Sequence, residues 1–140
     1  MAQDEDKHFV GKVAHKAAIE KDGKVLLAKG DGDEFWDIPR GRINSGEKPA
    51  QALKREIKGE LGVDIEVGKP FFADLIISTK TKEERYFICF YAKVADGQEP
   101  CSVDPEESAE LYWVGSDEVE TIKIYEVCRE ALRAFFSENK

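Results

Sequence analysis

Apolar and polar positions along the chain follow two periods in turn. Residues 10–20 and 24–29 read as two extended strands joined through Lys21-Asp22-Gly23. Asp-Gly suits a tight hairpin because both residues tolerate positive φ. A loop rich in Gly and Asp, residues 30–34, follows. The period then lengthens: over residues 48–61, Ala50, Leu53, Ile57 and Leu61 form a helical stripe, with Pro49 near its start and Gly62 just past its end. Beyond Pro70, residues 71–78 and 85–94 predict two long strands, linked by the charged stretch Lys80-Thr81-Lys82-Glu83. A polar loop over 95–109 leads into the short strand Leu111-Tyr112-Trp113-Val114. Tyr125, Cys128, Ala131, Leu132, Phe135 and Phe136 fall on one face of a closing helix over 121–136. Strands before, between and after two helices predict an α/β domain, a mixed sheet flanked by helices. The polar, patternless residues 1–8 predict a flexible tail ahead of a single domain over 9–140.

Composition narrows the function. The chain has 140 residues, 41% of them hydrophobic, enough to build one core. Its net charge of -8 is the wrong sign for gripping nucleic acid through phosphates. The acidic excess is local: residues 94–122 hold Asp96, Glu99, Asp104, Glu106, Glu107, Glu110, Asp117, Glu118 and Glu120 and no basic residue, and elsewhere the charges nearly balance. Cys89, Cys101 and Cys128 are odd in number and lack a C-x-x-C spacing, which argues against a disulfide scaffold or a zinc site. Cys89 and Cys128 lie in apolar runs and read as core residues. No stretch is apolar enough to span a membrane, and the first residues have neither the basic flank nor the apolar run of a signal peptide. The expectation is a cytoplasmic protein, monomer or homodimer, with neither membrane nor nucleic acid as partner.

The chemistry concentrates in residues 36–63, WDIPRGRINSGEKPAQALKREIKGELGV. A strand end, a glycine-containing loop and a helix come in succession, and the helix carries Glu56 and Glu60 one turn apart. Such an i, i+4 pair shares one face. On its own it is commonly a solvated surface. Two converging carboxylates repel unless a cation lies between them, and oxygen ligands without a nearby His or Cys favour magnesium or manganese, ions that associate with phosphate.

The stretch resembles the signature of the Nudix (MutT-like) hydrolases, G-x5-E-x7-R-E-U-x-E-E-x-G-U with U aliphatic. Gly41, Glu47, Arg55, Glu56, Ile57, Glu60, Gly62 and Val63 occupy eight of its nine fixed positions. Trp36-Asp37-Ile38-Pro39 ahead of it and Glu110 to Val114 behind it also look like that family's flanks. The resemblance implies an α/β/α sandwich and Mg2+- or Mn2+-dependent cleavage of a nucleoside diphosphate linked to another group, such as a nucleotide sugar, a nucleoside triphosphate or a dinucleoside polyphosphate. It implies Glu56 as metal ligand and general base, Glu60 as metal ligand, and Arg40 as donor of a backbone carbonyl to the metal. Glu47 and Arg55 would brace the loop, with Gly41 and Gly62 as its structural glycines. A further carboxylate from the loop before the last strand is implied, for which Glu107 has suitable spacing, with Glu106 and Glu110 as rivals.

Two departures qualify the resemblance. Gly59 stands where the signature has a glutamate, which removes one carboxylate and leaves two readings: a hydrolase compensated by another acid, or a Nudix-like module that binds a nucleotide or a protein without cleaving. Pro39-Arg40-Gly41-Arg42 replaces the commoner Pro-Gly-Gly-Lys and offers Arg40 and Arg42 to phosphate. Downstream, Ser78, Thr79 and Lys80 occupy the region where a Pro or Tyr marks some subfamilies. His8 and His15 read as tail and sheet residues rather than ligands, and Phe35, Trp36, Tyr86 and Phe87 as core aromatics before base-stacking ones.

Overall fold

Asp22 and Gly23 take φ of 53° and 77°, and this turn joins β1 (Lys12–Lys21) to β2 (Lys24–Lys29) in the computed structural model, which describes residues 8–78 and 81–138. The tail residues 1–7 and the Thr79-Lys80 link therefore lie outside the described residues. The two strands pair only beside the turn, Glu20 opposite Val25 and Lys21 opposite Lys24. Farther on, the chain after β2 fills the gap between them. Asp37 exchanges both backbone hydrogen bonds with Ala28 at 2.9 Å, and Ala17 donates to the Pro39 carbonyl at 2.8 Å. β3 (Arg40–Gly41) then pairs with β1, Gly41 opposite His15 and Arg40 opposite Lys16. Backbone groups that the divergence would orphan are thus paired, and Arg40 is delivered to the mouth of the wedge.

The chain continues through α1 (Pro49–Leu61), β4 (Ile65–Ile77), β5 (Glu84–Val94), α2 (Pro105–Ser108), β6 (Glu110–Val114), a 3-10 turn (Ser116–Glu118) and α3 (Glu126–Glu138). The six-stranded sheet runs β4-β5-β1-β2-β6, with β3 attached to β1. β1 and β5 are parallel and the other pairs antiparallel, so the sheet is mixed as expected. Alternation along β1 feeds two cores. Ala17 and Ile19 join Leu26, Leu53, Ile57 and Leu61 beneath α1, whereas Ala18 joins Leu27, Phe87, Cys128 and Leu132 beneath α3. Leu53, Ile57 and Leu61 are fully buried, each contributing roughly 1.5–3 kcal/mol. Helices on both faces make the α/β/α sandwich.

Three boundaries differ from the sequence reading. The strand expected to start at Phe71 starts at Ile65, because the register shifts between Val67 and Phe72 let the pairing run past Gly68 and Pro70. A proline is tolerated there because β4 is an edge strand. The last helix starts at Glu126 rather than Thr121: Thr121 and Ile122 donate back to the Glu118 carbonyl in a turn, Trp36 donates to the Lys123 carbonyl at 2.9 Å and Ile124 bridges to Trp36, which keeps 123–125 out of the helix. Tyr125 consequently points outward, 46% exposed, instead of joining the apolar face. Within the loop expected over 95–109, residues Pro105–Ser108 form the short α2. Its N-cap is Asp104, whose side chain accepts from the Glu106 N–H at 3.2 Å.

Candidate active site

Close approach at Gly41 sets the position of α1. A Cβ on Gly41 would lie 3.1 Å from the Ala52 carbonyl oxygen and 3.2 Å from Cβ and Cγ of Glu56. Glycine thus lets the helix bring Glu56 directly over β3. The loop between β3 and α1 is braced from the other side: Arg55 Nε donates to Glu47 Oε2 at 2.8 Å and Nη2 to Glu47 Oε1 at 3.0 Å. The same Nη2 donates to the Arg42 carbonyl at 2.7 Å, and Glu47 Oε1 accepts from the Asn44 N–H at 2.8 Å. The Arg55 guanidinium, then the Asn44 N–H, hold the Glu47 carboxyl down at about 2. A folded-state value below the ordinary one makes this contribution complete above the ordinary glutamate range and lost as the pH falls toward 2. Melting curves of Glu47→Gln and the parent should therefore differ by a constant amount above about pH 5 and converge near pH 2.

Two more glycines and a set of backbone bonds bring an acidic element to the end of α1. Gly62 caps the helix at φ 71°, its N–H donating to the Lys58 carbonyl at 3.0 Å. The freed carbonyls of the last turn accept from the following loop: Cys101 N–H bonds Leu61 at 3.0 Å and Val103 N–H bonds Glu60 at 2.9 Å. This seats α2 against the helix. On its other side, a Cβ on Gly30 would fall 2.5 Å from the Glu106 carbonyl oxygen, so β2 and α2 touch only because residue 30 lacks one.

The outcome is a cleft of about 230 Å³ lined by Asp33, Asp37, Arg40, Glu60, Glu107 and Tyr125. Glu60 is 9% exposed, where the helical stripe had placed it with Glu56 on a solvated face; the loop packed on the helix end covers it. Its carboxyl is pushed up to about 7, first by burial and then by the facing charges of Glu107 and Glu56, with Asp104 adding and Arg40 opposing. Arg40 Nη2 contacts Glu107 Oε2 at 3.2 Å, and Arg55 Nη1 contacts Glu56 Oε1 at 2.9 Å. Among the described residues no three His, Cys, Asp or Glu side chains are gathered closely enough to hold a metal ion. Two of the three carboxylates are instead turned to guanidiniums. The donor chemistry nevertheless fits a hard dication: all-oxygen, mutually repelling, and with the buried Glu60 carboxylate destabilised for want of positive charge.

Of the rivals to Glu107, Glu110 lies at the start of β6 with its carboxylate 3.7 Å from Lys29, and Glu106 lies outside the cleft lining. Arg42 lines a separate cleft that adjoins at Arg40. The sequence reading missed Asp33, Asp37 and Tyr125. Asp37 Oδ1 accepts from buried Lys16 at 2.9 Å, from the Ile38 N–H at 2.8 Å and from Cys128 at 3.1 Å, a polar floor under the cleft. The clustering of Trp-Asp-Ile-Pro just ahead of Arg40 was the available signal. Phe87, weighed as a stacking residue, is 1% exposed in the core. His15 is buried in the sheet, Cys101 is exposed, and Cys89 and Cys128 are buried. No helix among the described residues is long and apolar enough to cross a membrane.

Known proteins share both sequence and shape with this chain. A CTP pyrophosphohydrolase of Escherichia coli K12 is 40% identical over 57 residues, 38% of this chain and 42% of that protein. An RNA pyrophosphohydrolase of Aeromonas hydrophila is 44% identical over 43 residues, 31% of this chain and 25% of that protein. The chain thus spans less than half the length of these relatives. The crystal structure of a MutT NUDIX hydrolase from Burkholderia pseudomallei superposes with a TM-score of 0.75 at 26% identity, covering 90% of this chain and 98% of that one. The sequence profile of the NUDIX domain matches residues 13–135, nearly the whole chain, and the chain belongs to the Nudix family.

Proposed function

We propose that this protein is a divalent-cation-dependent hydrolase of phosphoric anhydride bonds, acting on a nucleoside diphosphate linked to another group. The observation that carries the reading is the cleft that buried Glu60 shares with Glu107 and Arg40, with Glu56 one turn earlier on the same helix. Glu56, Glu60 and Glu107, with the Arg40 backbone carbonyl, would hold magnesium or manganese. Bound there, the cation supplies Lewis acidity, neutralising charge on phosphate oxygens and acidifying nearby water. Glu56 takes the proton as water adds to phosphorus and the anhydride P–O bond breaks, releasing two phosphate-bearing products. The Arg40 guanidinium, exchanged from Glu107 to substrate, stabilises the leaving phosphate. A recess of about 250 Å³ shares Arg40, Asp37 and Tyr125 with the cleft and is lined further by Ile76, Val127 and Arg85. The side chains of Ile76 and Val127 over a Lys16–Asp37 floor suit the flat face and polar edge of a nucleobase. The relatives named CTP pyrophosphohydrolase and RNA pyrophosphohydrolase agree with a nucleotide substrate. The reading takes residues 9–140 as one domain working in the cytoplasm.

Gly59 favours attention to a second reading, a module that binds without cleaving. Position 59 is exposed and a Cβ there meets nothing within 4 Å, so a glutamate fits without rearrangement. The enzyme reading predicts that the parent already turns over, because Glu107 supplies the third carboxylate, and that Gly59→Glu changes kcat by less than about tenfold, under about 1.4 kcal/mol in barrier. A parent silent with every nucleotide, awakened by Gly59→Glu, would favour the binding module.

A further inference from the structure

Beyond Arg40 lies a second cleft, of about 400 Å³, built from the lead-in to β1, the residues around β3 and the start of β5. We infer that this cleft is a subsite for a polyphosphate chain extending past the bond cleaved. Lys12, Arg40, Arg42 and Arg85 line it and no carboxylate does, in a chain whose net charge is -8. The Arg42 guanidinium makes no hydrogen bond or ion pair among the described residues, while its carbonyl is fixed by Arg55. His15 forms part of the wall; it is 5% exposed, and its Nδ1 has no hydrogen-bond partner among the described residues.

The cleft shares Arg40 with the acidic cleft that holds Glu60 and Glu107. A phosphate chain whose reacting pyrophosphate lies at the carboxylates therefore continues past Arg40 into the basic cleft without crossing an acidic barrier. A nucleotide sugar places a neutral ring there and leaves the guanidiniums unpaired; a chain of four or more phosphates pairs them. Lys12 and Arg85 face each other across the parallel β1–β5 ladder, which sets the far wall. Arg85 is tied to Glu83 at 2.8 Å and Lys12 also feels that carboxylate, so the occupant must compete with Glu83 on that side. The inference deepens the proposed function by naming its substrate class.

The test separates the subsite from catalysis. Inorganic tripolyphosphate, in chelator so that no divalent cation is present, should raise the Tm of the parent, and Lys12→Glu should weaken its apparent Kd roughly tenfold. Lys12 is exposed, and Lys12→Gln provides a milder variant with little fold to disturb. With magnesium, Lys12→Glu should raise KM roughly tenfold for a dinucleoside tetraphosphate while leaving ADP-ribose turnover within about twofold, because Lys12 lines the basic cleft and not the recess around Asp37. Equal tripolyphosphate binding by parent and variant, or an equal KM change for both substrates, overturns the subsite. Tripolyphosphate binding lost in the variant, in a protein that hydrolyses nothing, sustains the subsite and refutes the hydrolase.

Discussion

Glu60→Gln is expected to make the metal-free protein more stable and the enzyme inert. The carboxyl is buried against Glu107 and Glu56, and its folded value of about 7 lies above the ordinary 4.5. An acid whose value is raised by folding binds its proton more tightly in the native state, so stability is full below pH 4.5 and falls as pH rises through 7. The loss is on the order of 3 kcal/mol by pH 8. Glutamine keeps the shape and removes the charge. In chelator at pH 8 the variant should therefore melt roughly 5–10 °C above the parent, and near pH 4.5 the two should coincide. Magnesium should reverse the order by stabilising only the parent, because a ligand that binds the native state adds to its stability. Turnover should fall roughly 10³-fold or more, the several kcal/mol expected of charge stabilisation at a phosphoryl centre. A variant that melts below the parent in chelator at pH 8 would show that Glu60 is not the frustrated group.

Gly41→Val should impair catalysis from a position that touches no substrate. Any Cβ at residue 41 meets the Ala52 carbonyl and the Glu56 side chain at 3.1–3.2 Å, and the two further methyls of valine deepen the overlap. The backbone of α1 has to retreat from β3. Overpacking of this kind costs about 1–3 kcal/mol of stability. Displacing Glu56 by even a fraction of its bond length to the reacting atoms weakens a geometry-dependent step, and the expected loss in kcat is roughly 100-fold. KM should change far less, because Arg40 and the recess around Asp37 stay on the sheet. A valine variant with parental kcat and a lowered Tm would mean that the separation of β3 and α1 does not set the reactivity of Glu56.

These two residues also mark what the sequence conveys and what it withholds. The Asp22-Gly23 hairpin and the ends of α1 at Pro49 and Gly62 were legible because each depends on the residues that form it. Gly41 and Glu56 were legible as signature positions, though the contact between them was not. The start of β4 at Ile65 was hidden because Gly68 and Pro70 look like a break, and only the edge position of the strand makes them tolerable. The start of α3 was hidden because residues 123–125 are held by Trp36, far away in sequence. The burial of Glu60 was misjudged for a similar reason: periodicity describes one helix, whereas the cover over Glu60 comes from residues 101–104 bonded to the helix end. Asp33, Asp37 and Tyr125 enter the cleft through the same long-range geometry.

The most direct measurement is phosphate release, read directly or after added phosphatase, from nucleoside triphosphates, a nucleotide sugar, ADP-ribose and dinucleoside polyphosphates with magnesium or manganese. Turnover on at least one of these substrates, abolished by chelator and by Glu56→Gln while the variant still melts cooperatively, is the predicted result. A cooperatively folded parent that releases no phosphate from any of them with either ion, or a Glu56→Gln variant as active as the parent, would contradict the assignment.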